Sequence, residues 1–342
     1  MNESAIRDVE DLEDRLSAPT ERLVETMARL EGDIIILGVA GKLGPTLARM
    51  ARRSSDMAGV LRRVIGVARF TDTDSEARLR SHGVETIRCD LLEEDSLSQL
   101  PEAPNVVYMA GRKFGTTGQE SATWALNAYL PGPVCRRFRE SRIVAFSTGN
   151  VYGLVPGTEG SRETDVPDPR GEYAMSCLGR ERIFEYFSQS FNIPMALIRL
   201  NYATEMRYGV LVDLAERVRD GQPIDLSVGS FNVIWQGDAN AMALQSFEHL
   251  ATPPRVINLT GPEVLRVRIV AETFGRLLGR SVRFQGEETS LALLSDASEA
   301  IRRFGMPRVS ADMLIQWVAD WIGRGGPTLG KPTHFEASDG SF

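Results

Sequence analysis

The chain has 342 residues, 42% of them apolar and 25% charged, with a formal net charge of −7. Its length suits one large domain with a smaller one built on it, and its acidic balance points away from nucleic acid and anionic membrane surfaces. No apolar run approaches the ~20 residues of a membrane span, three widely spaced cysteines do not make a disulfide framework, and three histidines argue against a catalytic zinc site.

Residues 1–31 read as a helical extension. Its opening (Met1 to Leu16) is acidic and lacks the basic-then-apolar build of a signal peptide, so a cytoplasmic chain is expected. Val9, Leu12 and Leu16 share one helix face. Thr20 or Ser17 can cap a second helix whose stripe is Leu23, Val24, Met27 and Leu30. The pair is expected to pack on the main domain as a lid.

From Asp33 the rhythm changes. Asp33–Leu37, Val64–Val67, Val84–Ile87, Val106–Met109, Ile143–Phe146 and Met195–Leu200 are short apolar runs, as in strands buried on both faces. Helical segments separate them, among them Pro45–Arg53, Ser75–His82 and Arg180–Ser188. This alternation predicts α/β architecture: a Rossmann-type doubly wound parallel sheet over residues 32–200. A smaller α+β substrate-binding portion follows over 201–324. There Val210–Arg219, Val267–Leu278 and Ser310–Ile322 read as helices, and 221–225 and Val256–Leu259 as a turn into a strand and a strand. Residues 325–342 are rich in Gly, Pro and Ser, without period, and are expected to be a disordered or draped tail. Within them, Lys331-Pro-Thr-His334-Phe reads as a solvated end or as a segment folded back over a site.

The first strand runs into Gly38-Val-Ala-Gly41-Lys42-Leu43-Gly44, which opens a helix. Glycines at that junction let backbone N–H groups and the helix N-terminus approach a pyrophosphate, and Lys42 inside the loop is expected to add positive charge near its phosphates, so a nicotinamide dinucleotide is expected. At the end of the second strand Ala68 and Arg69 stand where NAD-preferring enzymes carry an acid for the ribose hydroxyls. An arginine there suits a 2′-phosphate, which favours NADP over NAD. Asp90 and Leu91 are placed to meet the adenine, and Ala110 and Gly111 end the fourth strand beside the cofactor. Of 39 basic residues only Lys42, Lys113 and Lys331 are lysines. Genome composition explains the bias simply, yet it makes each lysine worth following.

Ser147-Thr148-Gly-Asn150-Val-Tyr152-Gly153 ends the fifth strand, and Tyr173 follows 25 residues after Thr148. With the glycine loop, Glu163 and Pro169, Arg199-Leu-Asn201 and Asn258-Leu-Thr-Gly-Pro262, these motifs occur in the order of one family. From about Ile34 to Gly323 the chain resembles the extended short-chain dehydrogenases, the family of sugar-nucleotide epimerases and dehydratases. The resemblance implies that Tyr173 is the general acid/base and that Thr148 positions the substrate oxygen. It also implies that Asn127 orders the helix it lies on. Pro131 and Pro133 should break or kink that helix.

The sequence departs from the family at Cys177. The family has a lysine there, one turn from the tyrosine, which holds the nicotinamide ribose and lowers the tyrosine pKa. Free tyrosine titrates near ~10, so work at neutral pH needs roughly 3–4 kcal/mol of help, and a neutral thiol gives none. Three accounts stay open. Another cation substitutes, with Lys113 preferred and Arg180 farther along the same helix; the charge of the oxidised nicotinamide suffices; or redox activity is lost. On the substrate side the family's diphosphate-gripping arginine falls at Phe231, and Trp235 replaces a histidine, while Asp238 fits. Asn150, Tyr202 and Arg207 are candidate substrate contacts; Arg207 reads equally as a surface salt bridge.

The expectation is an NAD(P)-dependent oxidoreductase on a small sugar, sugar acid or polyol. The alternatives are an epimerase or dehydratase with retained cofactor, and a non-catalytic dinucleotide sensor. The resemblance also implies a homodimer.

Overall fold

The computed structural model describes residues 5–113, 115 and 118–336. Seven parallel strands make the central sheet: β1 (Ile34–Leu37), β2 (Val64–Ala68), β3 (Glu85–Arg88), β4 (Asn105–Tyr108), β5 (Arg142–Thr148), β6 (Met195–Leu200) and β7 (Arg255–Leu259). Their order is β7-β6-β5-β4-β1-β2-β3. β1 is flanked by β2 (Ile34 opposite Val64) and β4 (Ile34 opposite Asn105). The winding therefore reverses direction at β1, and a ligand crevice opens at the carboxyl ends of β1 and β4. All four residues of β1 are buried, as helices on both faces require. β3 forms the edge and carries Glu85, which pairs with Arg63 at 2.6 Å; charge on an edge discourages pairing with another chain.

The helices are α1 (Val9–Leu16), α2 (Glu21–Arg29), α3 (Gly44–Met57), α4 (Thr73–Ser81), α5 (Glu94–Ser98), α6 (Glu120–Trp124), α7 (Pro131–Arg137), α8 (Gly171–Phe191), α9 (Val210–Arg219), α10 (Gln236–Gln245), α11 (Val267–Leu278), α12 (Ser298–Phe304) and α13 (Ala311–Gly323). Thr20 Oγ1 accepts the Leu23 N–H at 3.0 Å and so caps α2. Ser310 caps α13 in the same way. α1 and α2 pack on α3 and α10, burying Leu12, Leu16, Leu23 and Met27. None of their residues lines the cavities at the loop after β1, so this pair braces the domain and does not cover the crevice.

Between α6 and α7 the helix widens into a single π-turn, Ala125–Tyr129, with Pro131 opening α7. Proline cannot donate to the preceding turn, and the bulge absorbs the mismatch. Asn127 lies in that π-turn and is fully buried.

Two apolar clusters fill the two faces of the sheet. A third holds the smaller portion together around α9, α11 and α13, with Ile6, Leu12 and Leu16 from the N-terminal side and Phe335 from the far end of the chain. The segment after α13 is thus folded onto the domain over its described length, 325–336. Among the described residues no helix is long and apolar enough to cross a membrane.

Candidate active site

The loop after β1 shows why its glycines stand where they do. Gly38 has φ +89°, and a Cβ there would sit 2.6 Å from the Ala110 nitrogen on the neighbouring strand end. A Cβ on Gly44 would run into the Val39 carbonyl oxygen, with backbone on both sides of the clash. The bare loop lets a phosphate approach the backbone at the start of α3, although the Gly44 N–H is already donated to the Gly41 carbonyl at 3.1 Å and Pro45 has none. Replacing Gly44 by alanine is expected to weaken dinucleotide binding at least tenfold, read by titrating the fluorescence of reduced nicotinamide. Unchanged affinity would show that the loop can shift freely.

Two adjoining cavities meet across this loop. The smaller, about 350 Å³, is lined by Gly38, Gly41, Arg69, Asp90, Leu91, Ala110 and Gly111, among others. Arg69 is two-thirds exposed and lies 3.9 Å from the Asp90 carboxylate. The larger, about 510 Å³, is lined by the glycine loop including Lys42, Leu43 and Gly44, by Gly111, Lys113, Thr148, Asn150, Tyr173 and Arg180, and by Tyr202, Tyr208, Lys331 and Thr333. The dimensions and the glycine cradle fit an extended dinucleotide, its adenosine end beside Arg69 and Asp90 and its nicotinamide end beside Tyr173.

Tyr173 lies on the first turn of α8, and Thr148 ends β5. Their side chains are hydrogen-bonded, and Tyr173 is also hydrogen-bonded to Cys177. Burial pushes the Tyr173 hydroxyl pKa far up; the Cys177 thiol adds to this, and the Arg180 guanidinium opposes it. Burial likewise pushes the Cys177 thiol up, so both groups hold their protons at neutral pH. Cys177 itself packs against Val151 and Tyr152, with Tyr173 and Leu293 beside it.

The cation whose charge bears on Tyr173 is Arg180, seven residues further along α8. Its Nη1 donates to the Phe146 carbonyl at 2.8 Å, its Nη2 to Asn127 Oδ1 at 2.7 Å and its Nε to the Asn127 carbonyl at 3.2 Å. These acceptors are all neutral, so the buried guanidinium keeps its positive field. Gly111 lacks the side chain that would collide with it. Asn127 also donates to Ser176 Oγ at 2.9 Å and the Arg112 carbonyl at 3.0 Å, and accepts the Arg112 N–H at 2.9 Å. It locks the π-turn to α8 and to the strand-end loop. Lys113 lines the same cavity, but its charge couples to Cys177; burial lowers its pKa to about 8.

The sequence-derived set is thus largely brought together. Arg207 is the exception and needs correcting as a substrate contact. Its guanidinium pairs with Glu13 at 2.7 Å and with Glu205 at 3.1 Å, and it lies outside the cavity lining. With both carboxylates beside it, it has no charge to spare for a ligand. Asp238 is likewise structural, accepting from Arg308 Nε at 2.6 Å. Tyr208 and Thr333 were missed as site residues, while Arg180 had been weighed behind Lys113 as the substitute cation and Lys331 only as part of a segment that could fold back over a site. For Arg180 the signal was its seven-residue spacing from Tyr173, and for Lys331 the scarcity of lysine.

The profile of the NAD dependent epimerase/dehydratase family matches residues 34–227, more than half of the chain. The chain belongs to this family. It is therefore an enzyme of the extended short-chain dehydrogenase type, whose fold and ordered motifs it shares. Solved structures agree in fold. UDP-glucuronic acid 4-epimerase from Bacillus cereus, bound to UDP-glucuronic acid and NAD, superimposes with a TM-score of 0.69 at 17% identity, over 85% of this chain and 99% of that one. UDP-glucose 4-epimerase from Thermotoga maritima, with UDP-glucose, gives 0.70 at 15% identity over 85% and 99%. The dTDP-glucose 4,6-dehydratase from Bacillus anthracis, with NAD, gives 0.71 at 14% identity over 86% and 97%. At such identities the likeness is one of fold. No curated protein matches the chain in sequence. Cys177 stands one helical turn from Tyr173 and bears on the tyrosine's proton through their hydrogen bond.

Proposed function

We propose that this family member is an NADP-preferring oxidoreductase acting on a small hydroxylated substrate, a sugar, sugar acid or polyol. The observation that carries the reading is the hydrogen-bonded Tyr173–Thr148 pair on the wall of a cavity that opens into the glycine loop. The dinucleotide, when bound, supplies the two-electron chemistry. Gly38, Gly41 and Gly44 would hold its pyrophosphate, and Arg69 its 2′-phosphate. Tyr173 exchanges the proton on the substrate oxygen, Thr148 and Asn150 orient that oxygen, and Tyr202 holds the far side.

Arg180 supplies positive charge that opposes the rise of the Tyr173 pKa without cancelling it, with Lys113 as a second cation at the cavity wall. Held protonated, Tyr173 is in the form that donates when a carbonyl is reduced. Oxidation of an alcohol needs the phenolate and is harder here. A cytoplasmic homodimer is the form expected of the protein. Tyr129, Met175 and Tyr186 are more than 40% exposed around the π-turn and along α8, where two copies can pair.

The test follows reduced-nicotinamide absorbance with NADPH and NADH against keto-sugars, keto-acids and their reduced partners. Turnover with NADPH supports the reading. Protein that purifies with nucleotide attached and interconverts sugars with no net absorbance change points instead to an epimerase, the second reading that the family match favours. Arg69→Ser is expected to cost about tenfold in NADP affinity, ~1.4 kcal/mol, and to leave NAD unchanged. Equal losses for both cofactors would sink the NADP assignment.

A further inference from the structure

Charge around the larger cavity is one-sided. The molecule carries a net −7, yet all three of its lysines line this cavity together with Arg112 and Arg180. No carboxylate stands among the cavity's described lining residues. The two guanidinium groups already donate to main-chain or amide oxygens, Arg112 to the Gly115 carbonyl at 2.8 Å. Lys42 leaves the glycine loop in the other direction from the adenosine end. Its ammonium lies 3.6 Å over the Tyr208 ring and donates to the Ala203 carbonyl at 3.3 Å. Its charge is turned toward Tyr208 and Ala203, away from the cavity beside Arg69 and Asp90 and into the larger cavity.

The segment 327–336 closes the same end. Leu329 N–H donates to the Arg207 carbonyl at 2.9 Å. Thr333 donates through its N–H at 2.8 Å and its hydroxyl at 2.6 Å to Asp213. Glu336 pairs with Arg217. Phe335 is 4% exposed, its ring 6.0 Å from that of Phe231. In the family resemblance a diphosphate-gripping arginine falls at Phe231, and in this structure Phe231 is buried under the chain's own segment. An aromatic pair offers a diphosphate no donor, and burying that charge unpaired is prohibitive. The fold that seals this end also sets Lys331 on the cavity's rim.

We propose that the substrate is a small hydroxylated anion, not a nucleotide sugar, with its carboxylate or phosphate held by Lys42 and Lys331 under the segment 327–336. Burial, with Lys113 and Arg207 nearby, lowers the Lys42 pKa to about 7 against the pull of Glu205 and Asp213. A bound anion relieves that deficit of negative charge. The inference rests on the preceding reading only in taking this cavity as the substrate site.

The test is calorimetric titration of the NADP-loaded protein with D-glucuronate, glucose 6-phosphate, glucose and UDP-glucuronate. At least one of the two small anions is expected to bind, and the pair of arms tells carboxylate from phosphate. Lys331 is exposed, so Lys331→Gln should fold normally; it is expected to weaken that anion at least tenfold, and Lys331→Arg to restore most of the loss. Tighter binding of UDP-glucuronate, glucose binding as well as the anions, or no binding of either anion would overturn the proposal. Anion binding without any redox change would leave it standing and sink the oxidoreductase reading. Redox turnover on a neutral or nucleotide-linked sugar would do the reverse.

Discussion

Tyr173→Phe is expected to lower kcat by roughly 10²–10⁴-fold, the range for removing a positioned general acid, while cofactor affinity and thermal stability stay nearly unchanged. The reason lies in what the substitution spares. The ring keeps its place against Cys177 and its neighbours. Thr148 keeps its partner, since its Oγ1 lies 2.9 Å from Asn150 Oδ1. The exchangeable proton goes, together with the hydroxyl's hydrogen bonds to Thr148 and Cys177. The rate should be read by stopped-flow absorbance in both directions, because the direction of the pKa shift makes them differ. Burial holds the Tyr173 hydroxyl protonated well above neutral pH. The acid form is therefore saturated through the neutral range, and the reduction rate should be flat there. Oxidation needs the scarce phenolate, and its rate should climb with pH, up to about tenfold per unit. Turnover that survives in the phenylalanine variant would place the proton elsewhere and remove the central residue of the proposed mechanism.

How far the sequence could be read depended on whether a segment's partners were local. β1 and β6 were legible as apolar runs because both of their faces are covered. α9 was legible because one face packs inward and the other meets solvent, a periodic pattern; its sequence-derived bounds coincide with those observed. α8 was found only in its latter part, 180–188, although it spans Gly171–Phe191. It begins at a glycine, and Arg180 and Glu181 look like solvent-facing charges until their partners are known. Those partners are Phe146, Asn127 and Arg199, 18 to 53 residues away in sequence. Arg207 misled for the same reason, since Glu13 reaches it across the fold. The segment 325–336 has no period, yet it is held by separate anchors to α9. The cofactor loop and the Thr148–Tyr173 spacing were readable because the chemistry imposes short, ordered motifs. Which cation faces Tyr173 was left open between Lys113 and Arg180, because the place of Arg180 depends on Gly111 to make room and on acceptors distant in sequence.

Between α8 and β6 lies the ion pair whose disruption should cost most in stability. Arg199 and Glu181 are 4% and 3% exposed and meet at 2.7 Å. Ser147 Oγ donates to Glu181 Oε1 at 2.5 Å, Arg199 Nη1 donates to the Tyr152 hydroxyl at 2.6 Å, and that hydroxyl donates to Asn258 Oδ1 at 2.8 Å. The network ties β5, α8, β6 and β7 together directly behind Thr148 and Tyr173. Glu181→Gln keeps the shape but leaves a buried guanidinium without its counter-charge. A loss of about 3–5 kcal/mol is expected, measured by urea denaturation at unchanged slope. Changing both Glu181 and Arg199 to methionine removes both charges together and should recover much of that loss, because neither is left uncompensated. Activity should not recover with it, since Ser147 and Tyr152 lose the partners that fix the end of β5 against α8. A Glu181→Gln protein within 1 kcal/mol of the parent, by the same measure, would mean that water reaches the pair. A double variant that regained stability and full turnover would show that the network holds the fold without aligning the site.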